Sequence, residues 1–472
     1  MRKLLIIISP LILLLLIIFL LFDFKPRRRS DAPGPVLLKE YDLTKYDQNI
    51  GFYPSFGDLD NDGKMDILLH RVGSRGEAKY LIAIDYDGEV LWKLGDSALS
   101  EHKYWKHEPP NRALAIIYDI DHDGHSEVVA ETSRDSTYRI EIVNGKTGEI
   151  QKSIESPFNE LSKKIITRAH PMAFIAYMDG YDSLPTIVVK YEASNQIKGI
   201  AIGYDKDLNA KWVFQNNEHS VGHIPDIADI DYDSKEEVCI GYAVIDDNGS
   251  ALWEADLPQL MDAHADFVTT ADILPNPGKE ILIAECKPKG KAYCFSSGGE
   301  LIWKNDRNCN HTECIWAGNF INDLPGVELI IQNRAHRAVF MSANAQTGKK
   351  IKNIRFSKNY TDWPTKISWV DKEIQSMWMP LERKLYDGYG EIIQDLGKYD
   401  KTVQEHLGAG VTKEQLGVQA IGLDIYGDSR EEIVIYQPFQ GKKIYIFTQH
   451  DSNGKLKEYI PQKQAYNMRT IH

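Results

Sequence analysis

The segments GDLDNDGKMDILL (residues 57–69) and LIAIDYDGEVLW (residues 81–92) form a unit whose parts recur along the chain. The first segment is an acidic turn followed by an apolar run. The second is a β-rich hairpin that turns at Asp-Gly and ends in tryptophan. Because Asp-Gly between two β-rich runs is a strong hairpin signal, the unit predicts a set of short antiparallel strands.

The acidic turn has further copies, each followed by an apolar run. They read YDIDHDGHSEVVA (118–130), ADIDYDSKEEVCI (228–240), ADILPNPGKEILI (271–283), GNFINDLPGVELI (318–330) and LDIYGDSREEIVI (423–435). Two eroded members lie at Tyr177 and Trp369. Repeated units of about four short strands are the signature of a β-propeller. We therefore predict an all-β fold, a β-propeller with about eight blades. Seven is the alternative, because residues 355–400 are irregular.

Tryptophan ends the hairpin of four units in the same phase. These residues are Trp92, Trp212, Trp253 and Trp303. No unit could bury its faces alone, so we expect one cooperative ring in which the tryptophans pack between neighbouring blades.

An uninterrupted apolar run extends from Leu4 to Phe22. About 20 apolar residues span a bilayer, and the small-residue cleavage site of a signal peptide is not evident. We therefore predict one N-terminal transmembrane helix in residues 1–24, a linker in residues 25–40 and the propeller in residues 41–472. Basic residues flank both sides of the run, so its orientation stays open. We expect an exported protein tethered to the membrane by this helix alone, or secreted if the helix is cleaved.

The composition limits the classes of partner. The chain has 472 residues and a formal net charge of -13, which argues against nucleic acid because binding phosphates needs a basic surface. An odd number of cysteines, five, argues against a disulfide framework. We expect a monomer.

Three acidic turns place carboxylates at alternate positions, with glycine or serine at the bend. Hard oxygen ligands in this pattern suit Ca²⁺, although none of the turns has the acidic twelfth position of an EF-hand. We predict that calcium pins these loops, with a calcium ion that contacts a substrate carboxylate as the alternative. The weaker copies are expected to keep the turn without the metal. The predicted calcium ligands are Asp58, Asp60, Asp62, Asp66, Asp119, Asp121, Asp123, Glu127, Asp229, Asp231, Asp233 and Glu237.

Five successive units carry an arginine or a histidine six to nine residues ahead of the acidic turn. In a propeller this position is the entry of the innermost strand, so we predict that these side chains gather at one mouth of the central channel. A lone histidine in an apolar run is usually a core residue, but five basic residues in phase favour a cationic site. They are Arg112, His170, His223, His264 and His311.

The segment Cys309-Asn-His311-Thr-Glu-Cys314 has two interpretations. In the first it is half of a zinc site, which His264 completes, so that the ligands are His264, Cys309, His311 and Cys314. In the second the cysteines are simply buried on neighbouring strands.

Residues 219–285 and the segments DIYGDSREEIVIY, KIYIFTQ and AYNMR near the C-terminus resemble the rhamnogalacturonan lyases of polysaccharide lyase family 11. In weaker form the resemblance extends over most of residues 50–472. It implies an eight-bladed propeller with bound calcium and a lyase that cleaves an acidic, uronate-containing polysaccharide such as rhamnogalacturonan. Propeller lyases that cut ulvan are also similar in architecture, and some of them hold a structural zinc. The third acidic turn lacks its glycine and the cysteine cluster is not a feature expected of the family, so the substrate stays open.

The β-elimination that this resemblance implies needs a positive group for the uronate carboxylate, a base for the C5 proton and an acid for the leaving oxygen. Arg112 or a metal suits the first role. A neutral histidine suits the second, with His170 and His223 as candidates. Tyrosine suits the third role; Tyr177 and Tyr191 both lie in the relevant blade, and Tyr191 is the candidate acid. The candidate substrate-binding residues are Lys103, His107 and Arg168. For the basic loop that contains Lys103 and His107, a solvated surface is the alternative.

Other functions stay open. A non-catalytic calcium-loop propeller of the FG-GAP type would bind glycan or protein in adhesion. A glycoside hydrolase is disfavoured because no pair of carboxylates stands apart from the metal-type turns. His264 could serve as a base or as a metal ligand.

Overall fold

In a computed structural model, eight four-stranded sheets account for the strands of the chain's described residues. The described residues are 34–47, 52–72, 78–95, 114–134, 137–161, 171–192, 199–215, 221–257, 264–286, 290–305, 309–333, 339–355, 364–370, 373–379, 382–396, 419–426, 430–437 and 441–449.

The strands follow one another along the described residues. In chain order they are β1 Val36–Asp42, β2 Tyr53–Gly57, β3 Asp66–Val72, β4 Ala78–Ile84, β5 Val90–Gly95, β6 Ala115–Tyr118, β7 Glu127–Arg134, β8 Thr137–Asn144, β9 Ile150–Glu155, β10 Met172–Ala176, β11 Thr186–Tyr191, β12 Ile200–Tyr204, β13 Ala210–Gln215, β14 Asp226–Ala228, β15 Glu237–Ile240, β16 Ala243–Ile245, β17 Ala251–Glu254, β18 His264–Ala271, β19 Glu280–Cys286, β20 Ala292–Phe295, β21 Leu301–Asn305, β22 Thr312–Gly318, β23 Glu328–Asn333, β24 Val339–Asn344, β25 Lys350–Arg355, β26 Thr365–Ile367, β27 Ser376–Met379, β28 Lys384–Tyr386, β29 Ile392–Asp395, β30 Gln419–Leu423, β31 Glu432–Tyr436 and β32 Lys443–Thr448.

Four consecutive antiparallel strands make each of the first seven sheets, from β2–β5 (blade 1) to β26–β29 (blade 7). The first strands of neighbouring blades contact one another, as β14 does with β18 and β18 with β22. The first strand of each blade is therefore the innermost one. The prediction of a β-propeller with eight blades is confirmed.

Blade 8 combines the two ends of the described chain. Its strands run β30, β31, β32 from the inside outwards, and β1 forms the outer edge. The pairing of β1 with β32 extends from Val36 opposite Thr448 to Asp42 opposite Lys443. These backbone hydrogen bonds close the ring, so the propeller begins at Val36, within the stretch predicted to be a linker.

The helical segments of the described residues are short. They are a 3-10 turn, Leu43–Lys45, and the helix α1, Phe158–Leu161. Within this part of the chain, no helix is both long and apolar enough to cross a bilayer. The predicted transmembrane helix in residues 1–24 lies outside the described residues and stays a prediction.

Tryptophans join successive blades, as predicted. The indole nitrogen of Trp92 donates a hydrogen bond to the carbonyl oxygen of Gly145 in the next blade at 2.6 Å. Trp253 and Trp303 donate in the same way, each to the blade that follows it. A glycine of the neighbouring hairpin lies against the ring: a Cβ on Gly148 would lie 2.6 Å from the Trp92 ring. The repeated tryptophan is therefore a packing residue.

A buried carboxylate holds the turn between the first two strands in six blades. In each of these blades, the first residue of the second strand accepts a hydrogen bond from the backbone N–H seven residues earlier, at 2.8–3.1 Å. The carboxylates belong to Asp66, Glu127, Glu237, Glu280, Glu328 and Glu432. Because a buried N–H group needs an acceptor, this carboxylate is a structural clamp even where the turn has lost its aspartates.

Candidate functional site

The candidate site lies where the inner strands of blades 4, 5 and 6 begin. His223 precedes β14, His264 is the first residue of β18, and His311 directly precedes β22. The second strands of the blades end at the same mouth, where Glu192 follows β11 and Cys286 ends β19. The structure thus brings three of the predicted basic residues to one mouth of the ring. Other predicted site residues lie outside the described residues: Arg112, His170, Lys103, His107 and Arg168.

A close approach of two backbones fixes the position of His223. Its N–H donates to the carbonyl oxygen of Ala265 at 2.8 Å, and the N–H of Ile224 donates to that of Asp266 at 3.1 Å. The residue before it, Gly222, has a positive φ of 69°. A Cβ on Gly222 would lie 2.6 Å from the Ala265 carbonyl oxygen. Glycine is therefore required here both for the φ angle and for the contact.

We expect Gly222→Ala to lower the free energy of unfolding by about 2–4 kcal/mol, because it adds a clash to an unfavourable φ angle. Denaturant unfolding of the full chain measures this. The control is Gly326→Ala, which also has a positive φ, of 101°, but no atom within 4 Å of the added Cβ. An equal loss in the two variants would show that the contact with Ala265 does not matter.

Bulges turn two acidic side chains towards the histidines that precede them. The register of β18 against β19 shifts so that Asp266 is the extra residue, and in β22 the extra residue is Glu313. A bulged strand bends and redirects the side chain of its extra residue. The Nε2 of His264 lies 2.9 Å from Asp266 Oδ1, and the Nε2 of His311 lies 3.1 Å from Glu313 Oε1. Blades 5 and 6 therefore carry the same His-x-acid arrangement.

Asp266 joins the histidines of two blades. The Nδ1 of His223 lies 3.0 Å from Asp266 Oδ1, and the Nε2 of His223 lies 3.2 Å from Glu192 Oε2. The imidazole rings of His223 and His264 have their centroids 4.7 Å apart. Asp266 is 2% exposed, whereas a third of the His264 side chain is exposed. The buried carboxylates thus hold two imidazoles at the surface of the channel mouth.

The acidic neighbours make His264 a cation. Burial lowers the pKa of this histidine, but the hydrogen bond and charge of Asp266, with the charges of Glu192 and Glu313, raise it to about 9. At neutral pH the ring is therefore protonated, which suits the neutralisation of a carboxylate better than the removal of a proton. Ligand atoms of His223, His264 and Asp266 also lie within 4.8 Å of one another and could hold a metal ion, which would bring positive charge to the same place.

A second group adjoins the first. The Sγ of Cys286 lies 2.9 Å from the Nε2 of His311, and the Cys286 thiol shares a hydrogen bond with the Asp266 carboxylate. Ligand atoms of Cys286, His311 and Glu313 lie within 4.8 Å of one another. The two groups therefore meet at Asp266.

The zinc ligands predicted from the sequence do not come together. Of the four, His264 belongs to the first group and His311 to the second, while Cys309 and Cys314 belong to the hydrophobic core shared by blades 5 and 6. The Cys314 thiol donates to Gln332 Oε1 at 3.5 Å, and burial raises its pKa well above the usual range. Cys309 and Cys314 are both buried with free thiols, as the alternative interpretation expects.

Tyr191 lies in the core and not at the channel mouth. Its hydroxyl donates to Glu131 Oε1 at 2.6 Å and lies 2.8 Å from Ser156 Oγ. The side chain is fully buried, and this burial raises its pKa well above the usual range. A polymer chain cannot reach this phenol, so we do not retain Tyr191 as the acid.

The three predicted calcium turns share one backbone shape. Each has two residues with positive φ, as at Asn61 and Gly63 in the first turn, and in the third turn Ser234 adopts the conformation that glycine has in the others. The carboxylates that converge are Asp58, Asp60 and Asp62; Asp119, Asp121 and Glu127; and Asp229, Asp231 and Glu237. The predicted ligands Asp66, Asp123 and Asp233 lie outside these groups.

The converging carboxylates fit a hard cation. Burial, opposed by a backbone hydrogen bond and reinforced by the neighbouring aspartates, raises the pKa of Glu127 to about 7 and that of Glu237 to about 8. A bound divalent cation would favour the charged form of both carboxylates. Asp66 differs, because its two oxygens accept the backbone N–H groups of Leu59 and Tyr86. It serves as the clamp of its turn.

Sequence reasoning missed the acidic and thiol partners of the histidines. These are Glu192, Asp266, Cys286 and Glu313. A signal for two of them was present, since HAD in blade 5 and HTE in blade 6 place an acid two residues after each in-phase histidine. Glu192 lies directly after the second strand of blade 3 and Cys286 ends the second strand of blade 5, and neither lies in a motif that the sequence displays.

A family model described as the C-terminal domain of rhamnogalacturonan lyase family 11 matches residues 167–469. The chain is 24% identical to the rhamnogalacturonan exolyase YesX of Bacillus subtilis (strain 168) over 306 residues, which are 53% of this chain and 47% of that protein. It is 25% identical to the rhamnogalacturonan endolyase YesW of the same organism over 306 residues, 53% of this chain and 46% of that protein. The chain thus spans about half the length of the curated relatives it matches.

The fold also matches solved structures. The Bacillus licheniformis rhamnogalacturonan lyase PL11 superposes with a TM-score of 0.61 and 17% sequence identity. The match covers 92% of this chain and 78% of that one. The two proteins therefore share a fold over most of their lengths.

Proposed function

Because the chain belongs to rhamnogalacturonan lyase family 11, we propose that it is a polysaccharide lyase that cleaves an acidic, uronate-containing polysaccharide by β-elimination, with rhamnogalacturonan as the substrate. The observation that supports this proposal is the cluster of Glu192, His223, His264 and Asp266. It lies within the matched region, at one mouth of the ring.

The reaction removes the proton at C5 of the uronate and breaks the C4–O bond. The electron pair of the C5–H bond forms the C4–C5 double bond, and the electron pair of the C4–O bond leaves with the oxygen, which takes up a proton. Neutralisation of the carboxylate makes the C5 proton more acidic. In our proposal His264, with His223 beside it, pairs with the substrate carboxylate, while Asp266 and Glu192 hold the two rings in place.

The residue that accepts the C5 proton must be a different group from the one that pairs with the carboxylate. Both ring nitrogens of His223 lie within 3.2 Å of a carboxylate oxygen, the Nδ1 beside Asp266 and the Nε2 beside Glu192. His223 therefore suits a role in the cluster beside His264 better than the role of base. His170 stays the candidate base from the sequence, with Arg112 as an additional cation for the substrate; both lie outside the described residues.

An assay of the full chain tests the proposal. The protein is incubated with rhamnogalacturonan, ulvan and glycosaminoglycans in the presence of calcium, and the ultraviolet absorbance of the unsaturated uronate product is followed. We expect product from rhamnogalacturonan. Product from ulvan alone would refute rhamnogalacturonan as the substrate. Binding of a polymer without product would favour a non-catalytic glycan-binding propeller. A folded protein that is silent on every polymer would refute the lyase proposal.

We also propose that the three acidic turns bind calcium. The converging carboxylates support this, because bringing like charges together is unfavourable without a cation. Removal of calcium with a chelator should lower the unfolding temperature by several degrees, and added Ca²⁺ should restore it. Asp119→Asn should reduce this shift, whereas Asp207→Asn, at an exposed hairpin turn in blade 3, should not. An unfolding temperature that does not depend on calcium would contradict the proposal.

A further inference from the structure

The second group at the channel mouth has the chemistry of a site for a soft or borderline metal. A thiol, an imidazole and a carboxylate meet within hydrogen-bonding distance, and the carboxylate of Asp266 touches the thiol from the neighbouring side. Cys286, Glu313 and Asp266 are all buried, with exposed fractions of 7%, 3% and 2%. A buried carboxylate, that of Glu313, beside a thiol is costly without a compensating partner, and a divalent ion would supply positive charge to both groups.

We propose that Cys286, His311 and Glu313 hold a zinc-class divalent ion beside Asp266. Zn²⁺ takes four ligands from sulfur, nitrogen and oxygen, so these three side chains would leave one position for a water molecule or another group. Calcium is the wrong ion, because it takes six to eight oxygen ligands and does not favour sulfur. The site is thus distinct from the acidic turns, which follow the inner strands and lie at their opposite ends.

The fold explains why these ligands meet although they are distant in sequence. Cys286 ends β19 and lies opposite His264 in the pairing with β18, so it comes from blade 5. His311 and Glu313 come from blade 6, where His311 has a positive φ of 57° and Glu313 occupies the bulge of β22. An ion bound here would link blades 5 and 6 and would fix Asp266 beside His223 and His264. It would thereby position the cluster to which we assign the lyase reaction.

Cobalt reports on the predicted ligands directly. The full chain is freed of metal with a chelator and titrated with Co²⁺, and the near-ultraviolet band of a thiolate–cobalt bond is recorded. We expect a single equivalent of Co²⁺ to give this band, Zn²⁺ to abolish it, and excess Ca²⁺ to leave it unchanged. A wild-type chain that gives no thiolate band would refute the proposal and would leave a hydrogen-bonded cluster without a metal.

Two matched variants locate the thiolate. Cys286→Ser should abolish the band, whereas Cys309→Ser should keep it; Cys309 is a buried cysteine two residues before His311 that the sequence placed in the zinc site. The reverse result would refute the ligand set. If Cys286→Ser does not fold, Glu313→Gln keeps the thiolate and should weaken cobalt binding at least about tenfold. Unchanged affinity in that variant would refute the role of Glu313 and with it the proposed site.

The readout does not depend on the proposed lyase activity. A chain that is inactive on every polymer could still give the thiolate band, and an active chain could lack it. Failure of the metal site and failure of the lyase function are therefore distinguishable.

Discussion

Asp266→Asn is expected to lower kcat/KM for rhamnogalacturonan by about 100-fold or more while the chain stays folded. Asp266 contacts the rings of both His223 and His264, at 3.0 and 2.9 Å. The amide keeps the size of the side chain but removes the charge that stabilises the protonated ring of His264. It also turns one acceptor into a donor, which a protonated ring nitrogen cannot accept.

The matched control is Asp272→Asn. Asp272 lies in the same blade, just beyond the opposite end of β18, and the Tyr232 hydroxyl donates to it at 3.3 Å. We expect this variant to keep kcat/KM within about twofold of the wild-type value, because a surface substitution away from the channel mouth has little effect on the fold and on the histidine cluster. Initial rates of product formation measure both variants, and the unfolding midpoint confirms that each is folded. Equal rates in the two variants would remove the His223–Asp266–His264 cluster from the mechanism.

Much of the fold could be predicted from the sequence because its signals are local. Asp-Gly and Asn-Gly turns between β-rich runs define hairpins, and their recurrence defines blades. The phase of the repeat also placed His223, His264 and His311 at one mouth, since equivalent positions of a ring meet at the same end. Closure by β1 was not predicted, because no repeated motif marks Val36–Asp42.

The composition of the site was harder to predict because bulges and neighbouring strands decide it. Regular alternation on β18 and β22 would not have shown that Asp266 and Glu313 fold back onto the preceding histidines. Closeness in sequence was misleading for the cysteines: Cys309 and Cys314 flank His311 in the chain, yet the thiol that reaches its ring is that of Cys286. The repeat predicts which residues share a position on the first strands, so it could not identify Cys286, which belongs to the second strand β19.

Glu328→Leu is expected to lower the free energy of unfolding by about 3–5 kcal/mol, because it removes a buried acceptor. The Glu328 carboxylate accepts the N–H groups of Phe320 and Ile321 at 3.0 and 2.9 Å. Leucine has a similar size but leaves both donors without their acceptor. Glu328→Gln keeps one acceptor oxygen and should cost clearly less. The exposed neighbour in the same turn, Asp323→Asn, should change the free energy by less than about 0.5 kcal/mol.

Glu328→Leu distinguishes the role of the buried carboxylate in hydrogen bonding from a role in metal binding. Among the described residues, Glu328 belongs to none of the groups that could hold an ion, whereas Glu127 and Glu237 in the equivalent position do. Denaturant unfolding with and without calcium should therefore give the same loss for Glu328→Leu, while the loss for Glu237→Leu should be larger when calcium is present. If Glu328→Leu were as stable as the wild type, hydrogen bonding to the turn would not explain why the carboxylate is buried there. A ligand bound in all six turns would then be needed to explain the six buried carboxylates.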